Sequence, residues 1–175
     1  THRRSGDEPV YWYHALFREF LKTRATTVLG REGCHAVIRR AAALLELHGA
    51  FDDAVQLHME AADWSEVTRL VEERASDLLA KGRGQTLRDW ISALPAEHLQ
   101  ANHRLRFWLG TSLIPIDQVR ARQQLELAFG EFQSRRDVIG QMETTSRVIS
   151  TCYFEWSYFE PLDRWIETLE ELISG

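Results

Sequence analysis

The stretch from Leu44 to Leu79, LLELHGAFDDAVQLHMEAADWSEVTRLVEERASDLL, constrains the fold more than any other part of the chain. The inward set runs Leu44, Leu45 and His48, then Ala54, Leu57, His58 and Ala61, then Val67, Leu70, Val71, Ala75, Leu78 and Leu79. That is the three-and-four spacing by which a helix gathers one face toward a core. Two breaks interrupt it and resemble each other, Gly49-Ala50-Phe51-Asp52 and Ala62-Asp63-Trp64-Ser65. Each places an aromatic before a residue, Asp52 or Ser65, whose side-chain oxygen can accept a free N–H at a helix start. Breaks this short turn successive helices back on one another. A run of such hairpins is a helical array, and arrays offer surfaces for binding more often than they assemble reacting groups.

The rest of the chain continues the pattern. Residues 1–9 hold no period and read as a loop. Val10 to Tyr13, VYWY, is the one stretch with strand character. A lone strand needs a partner outside this chain or docks as an extended segment on the first helix. From His14 the period turns helical, with Leu16, Phe17, Phe20 and Leu21 on one face, and Gly30 ends that element. A second helix, about Arg31 to His48, carries Cys34, Val37, Ile38, Ala41, Leu44 and Leu45, and Gly49 closes it. Beyond the turn at Lys81–Gly84, a short helix with Leu87, Trp90, Ile91 and Leu94 stops at Pro95. Ala96 to Asn102 adds a short helical turn. His103 to Ile114 turns Leu105, Trp108, Leu109, Ser112 and Leu113 inward and is closed by Pro115. Asp117 caps a helix through Val119, Leu125, Ala128, Phe129 and Phe132; Asp137 caps another through Ile139, Met142, Ile149 and Cys152. The last element carries Leu162, Trp165, Ile166, Leu169, Leu172 and Ile173. The fold class expected is all-α, antiparallel helix pairs stacked as a TPR-like superhelical array with at most one short strand near the N-terminus, although the TPR sequence pattern itself is not met.

A chain of 175 residues buries roughly two-thirds of its unfolded surface, enough for a stable core. No apolar run approaches the length needed to cross a bilayer, and the N-terminus lacks the apolar stretch and cleavage site of a signal peptide. A cytosolic protein is expected. The two cysteines, Cys34 and Cys152, lie on apolar stripes and are expected as buried free thiols. Charge is uneven: Lys and Arg outnumber Asp and Glu eight to five in residues 1–50, and the balance reverses, thirteen to twenty-one, over residues 51–175. An acidic array lacks the basic face that phosphate neutralisation requires, so direct nucleic-acid binding by this chain is not expected. Arg31, Arg39 and Arg40 could face an anion but also read as a solvated helix face.

The chain carries few chemistry-bearing motifs. KGRGQT, Lys81 to Thr86, has neither the spacing nor the preceding strand of a phosphate-binding loop. His48 with His58, and Cys34 with His35, offer no metal-ligand spacing. Asp52-Asp53, Glu72-Glu73 and Glu170-Glu171 splay about 100° apart on a helix and read as solvated faces. No catalysis and no metal is expected. Aromatic density is the more suggestive feature, with Trp90, Trp108, Tyr153, Trp156, Tyr158 and Trp165 in the second half. Most belong in a core; Trp156, Tyr158 and Tyr153 lie at or beside a break and are the candidates for a ligand or partner surface.

Three stretches together carry a resemblance: WYHALFREFL, Trp12 to Leu21; RRAAALLELHGAFDDAVQLHMEAADWSEVTRLVEE, Arg39 to Glu73, with LRDWISALP, Leu87 to Pro95; and FEWSYFEPLDRWIETLEEL, Phe154 to Leu172. They resemble the large LuxR-type transcription regulators of the maltose-activator kind, members of the STAND class of signal-transduction ATPases. In that family a nucleotide-binding ATPase leads through a winged helix and a helical arm into a TPR-like sensor, with a DNA-binding domain at the far end. The resemblance implies that residues 1–13 are a loop and the last strand of a winged helix, 14–95 the arm hairpins and 96–175 the start of the sensor. It also implies ATP or ADP for the longer protein and no cofactor in this chain.

His14 has two readings. Tyr13-His14-Ala15 resembles the Met-His-Asp signature of STAND ATPases, whose histidine contacts the β-phosphate of ADP, but only the histidine is kept here. Alternatively it is a junction residue with a local hydrogen bond. The partners implied are the chain's own ATPase and DNA-binding domains, a small-molecule or protein effector, and possible self-association. The function expected is a non-catalytic regulatory module coupling effector binding to an ATPase and DNA-binding output. A free-standing interaction scaffold, which would need a start codon near Thr1, is the alternative; an enzyme would need buried polar groups with perturbed pKa gathered in one cleft.

Overall fold

A computed structural model describes residues 14–154 and 160–174, which form nine helices and no strand, so the all-α expectation holds. The loop 1–9, the Val10–Tyr13 strand, Trp156 and Tyr158 lie outside the described residues. The chain divides into two compact units, Thr1–Ala61 and Ala62–Gly175. This is a division by packing. The expected partition at residues 95 and 96 is one of roles in a longer protein.

The first unit holds α1 (Ala15–Leu47) and α2 (Phe51–Glu60). Helix α1 is broken at Gly30, whose φ of 67° and ψ of 177° fall in a region that essentially only glycine occupies. In a straight helix residues eight apart are separated by about 12 Å along the axis. Cys34 Sγ nevertheless lies 4.0 Å from Thr26 Oγ1, so the two arms of α1 turn toward each other at the glycine. At the far end Gly49 takes φ 74°, and the Ala50 and Gly49 N–H groups donate to Leu45 and Glu46 carbonyls, closing the last turn. Helix α2 then packs back on α1. The face expected to be inward on the first arm is not. Leu16, Phe17, Phe20 and Leu21 stand 39% to 76% exposed, and on the second arm Val37 and Leu44 are exposed as well. The reason is supply of partner surface: the ten residues of α2 cannot cover both arms of a 33-residue element.

The second unit runs α3 (Trp64–Ala80), α4 (Gly84–Ala93), α5 (Ala96–Ala101), α6 (His103–Leu113), α7 (Gln118–Ser134), α8 (Val138–Phe154) and α9 (Glu160–Ser174). Helix α6 packs on α3, α4, α5 and α7, so it is buried on more sides than one stripe: Phe107, Gly110 and Thr111 are buried beside Leu105, Ser112 and Leu113. Its neighbour α7 lies between α6 and α8, and its buried Leu125, Ala128 and Phe132 join Phe107, Val148 and Trp165 in the core. The helices come close because two contacts carry no side chain. A Cβ on Gly110 would lie 2.7 Å from Leu125 Cγ, and one on Gly140 would enter the Phe132 ring.

Several local expectations are corrected. Asp52 and Ser65 are not caps: the cap positions lie two residues earlier, at Ala50 and Asp63, and α2 and α3 start at Phe51 and Trp64. Asp52 sits in the first turn, where an acid favours the positive end of the helix dipole, and the Ser65 hydroxyl donates to Asp63 Oδ1 at 2.9 Å. Val119 and Ile139 are exposed. The inward face of α8 is instead largely hydroxylic, with Thr144, Thr145 and Thr151 buried and each bonded to a carbonyl of its own helix. The caps read at Asp117 and Asp137 are present, accepting from the Arg120 and Gly140 N–H groups at 3.0 and 2.9 Å.

Candidate functional site

The second unit holds a partly polar cleft of about 460 Å³ drawn from the first helix of three successive pairs, α3, α6 and α8. Leu79, Ala80, Ile114 and Pro115 give it apolar walls. Trp108 is half-buried beside them, its ring edge-on to Phe107 at 4.9 Å. Two of the polar groups are committed as donors: the Thr111 hydroxyl donates to the Phe107 carbonyl at 2.8 Å and the Ser150 hydroxyl to the Ser146 carbonyl at 2.9 Å. Their oxygens remain acceptors. Arg147, exposed at the margin, makes no hydrogen bond or ion pair among the described residues and is the charged donor left for a ligand. An indole beside a guanidinium suits a flat or anionic group. The lining includes no carboxylate, imidazole or thiol. Such a set can hold a ligand, but it offers no acid, base or nucleophile that titrates near neutral pH.

The expected site residues fall elsewhere. His14 is exposed at the start of α1, and its Nδ1 accepts the Leu16 N–H at 3.4 Å, the local bond anticipated for a junction residue. Tyr153 lies in the last turn of α8, its side chain outside the described residues, as are Trp156 and Tyr158. Trp90 and Trp165 are core residues. Trp108 was legible as an aromatic on an inward stripe; Arg147 was not, because a lone arginine on a helix carries no spacing signal.

The remaining titratable groups do not converge on the cleft. Cys152 is fully buried, as expected of a free thiol, whereas Cys34 is only half-buried, a correction that follows from the open hinge beside it. His58 is buried with Nε2 3.6 Å from Glu46 Oε1. Glu72 accepts from Asn102 Nδ2 at 2.7 Å while Glu73 meets Arg69 at 3.0 Å, so these adjacent acids serve different partners. His103 packs edge-on against Phe132 at 4.6 Å. Burial first, and then the Arg135 guanidinium, hold its pKa below the ordinary imidazole value. Arg31, Arg39 and Arg40 are all exposed, and no described helix is long and apolar enough to cross a membrane. The sequence matches no family model and no curated protein, and the fold matches no solved structure.

Proposed function

We propose that this chain is a non-catalytic regulatory module of a cytosolic STAND-class, LuxR-type transcription regulator, coupling effector binding to an ATPase and a DNA-binding output. The observation that carries this reading is the apolar row Leu16, Phe17, Phe20 and Leu21, exposed directly after His14. Contiguous exposed apolar side chains mark surfaces that another domain or partner covers. In the family that the sequence resembles, the winged helix of the ATPase immediately precedes this position and is the natural cover. His14 would then reach the β-phosphate of ADP held by that ATPase. The α3/α6/α8 cleft supports an effector site, since one helix from each pair lines the inner surface of a helix-pair superhelix. An effector opens the molecule only through unequal affinity for the closed and open states.

The test uses the full-length protein. Phe17→Asp with Phe20→Asp is expected to speed ADP release and promote self-association. Unchanged ADP release and oligomeric state in that variant sinks the reading, as does a reading frame that begins near Thr1. The second reading, a free-standing interaction scaffold, is favoured by one feature: the α3/α6/α8 cleft is complete within Ala62–Gly175.

A further inference from the structure

The first unit contains a second concavity, formed where α1 folds at Gly30 and α2 packs back on it. It measures about 530 Å³, within the ordinary range for small-molecule sites. Both arms of α1 and helix α2 contribute apolar wall: Ala25 and Leu29 from the first arm, Val37 and Ile38 from the second, Leu57 from α2. This is a wall without a filling. Leu29 and Val37 remain 49% and 54% exposed, so the two arms face a space that no described side chain of the unit fills.

The charged groups around that space are unequal in their commitments. Lys22 Nζ is 2.9 Å from Glu60 Oε2, a bond that ties the first arm to α2 and neutralises both partners. Arg31, the residue after the hinge, also lines the cleft, and it has no hydrogen bond or ion pair among the described residues. His35 lies one turn further along the same arm. Lys22 and Glu60 offset each other, so the unbalanced positive charge of the lining sits on Arg31, a guanidinium shaped for two-point contact with a carboxylate.

We infer that this cleft binds an amphipathic monocarboxylate, its hydrocarbon body between the two arms of α1 and its carboxylate on Arg31. The ligand supplies the apolar filling that the ten residues of α2 cannot, so binding holds the arms at one angle about Gly30. A neutral molecule of the same length would gain the burial and forgo the charge-assisted hydrogen bonds. A cationic one would meet Arg31 as a like charge. The cleft is lined wholly by residues of the first unit, and binding there does not require an ATPase ahead of the chain.

Cys34 makes the test direct. It lines the cleft and is half-buried, while Cys152 has no exposed surface, so an aromatic disulfide reagent reports on Cys34 in the folded protein. Decanoate, decanol and decyltrimethylammonium are titrated below their aggregation thresholds, reading the Cys34 reaction rate and the thermal midpoint. The expected result is saturable protection of Cys34 by decanoate, at about tenfold lower concentration than by decanol, with a raised midpoint. Arg31→Gln, at an exposed position and with its fold checked by circular dichroism, should bring decanoate to the level of decanol. Ala25→Trp, which fills the cleft, should abolish protection by both. Equal protection by decanoate and decanol in the parent protein overturns the inference. So does absence of protection, or decanoate binding that survives both variants. Loss of ADP coupling in the full-length protein would leave this result untouched, and the reverse holds too.

Discussion

Helices α1 and α7 carry apolar residues at the same spacing and have opposite fates. Among the described side chains of α1 only Ala42 is buried, although the element is 33 residues long. Helix α7, with 17 residues, buries Ala121, Leu125, Ala128 and Phe132 completely. Periodicity is a statement about which face a helix could bury. Burial itself depends on what packs there: α7 lies between α6 and α8, and α1 folds on itself and receives one ten-residue helix. The largest consequence is in stability. Phe132→Ala should cost about 3–5 kcal/mol in denaturant unfolding of the second unit, because a fully buried ring surrounded by His103 and Phe107 leaves a cavity. Phe20→Ala should cost under about 0.5 kcal/mol. A Phe20 effect comparable to that of Phe132 would break the comparison and show that the α1 face is covered in solution.

Glycine sharpens the same contrast at the next level. Gly140→Ala should destabilise by about 1–3 kcal/mol because the new methyl enters the Phe132 ring, and Phe132→Leu in the same chain should recover part of the loss. Gly30→Ala meets no atom within 4 Å, yet should cost a similar amount, about 1–3 kcal/mol, through backbone conformation alone. No second substitution in a neighbouring side chain should rescue it. Equilibrium unfolding of the two singles and the double separates a packed unit from a hinged one.

These cases also show what could be read from residues alone. Helix breaks at Gly30, Gly49 and Pro95 were legible because they follow from the φ preferences of single residues. The caps at Asp117 and Asp137 were legible for the same local reason. The caps expected at Asp52 and Ser65 lie two positions earlier, at Ala50 and Asp63, since an aromatic can open a helix and the choice among nearby residues is not local. The threonine-lined face of α8 was invisible to a hydrophobic pattern: Thr144 and Thr145 are core residues only because their hydroxyls bond back to their own helix. Gly110 and Gly140 gave no signal either, as close approach is a property of two helices and not of one. Both clefts depend on pairs of elements far apart in sequence, Ser76 with Arg147 in one case and Lys22 with Leu57 in the other, and no spacing rule could have joined them.

A smaller effect compares equivalent helix ends in the two units. Gly49 and Arg136 both follow a helix in the left-handed region, with φ of 74° and 57°, and both close the same pair of backbone bonds. Arg136→Gly should therefore stabilise the second unit by about 1 kcal/mol, and Gly49→Ala should destabilise the first by about as much. Thermal unfolding midpoints moving in opposite directions would support a shared closing geometry; a loss of stability on Arg136→Gly would mean that the arginine side chain matters more than its backbone.

The smallest predicted effect is one of pH, and it belongs to the second unit alone. His103 is desolvated against Phe132 and faces Arg135 and Arg104, with Glu131 and Asp137 opposing them only in part, so its folded pKa lies below the ordinary value of 6.5. The unfolded chain then binds a proton more readily than the folded one, and stability falls as pH drops through about 6.5, levelling off below the folded pKa. Above about pH 7.5 the imidazole is neutral in both states and contributes no slope. Denaturant midpoints for the Phe132-containing unit should decline between pH 7.5 and 5.5 more steeply than in a His103→Gln variant, whose neutral amide is polar and cannot charge. Hydrogen exchange of α1 and α2 over the same range should be insensitive to that substitution, because the proton is linked to the packing around Phe132 and to nothing in the hinged unit.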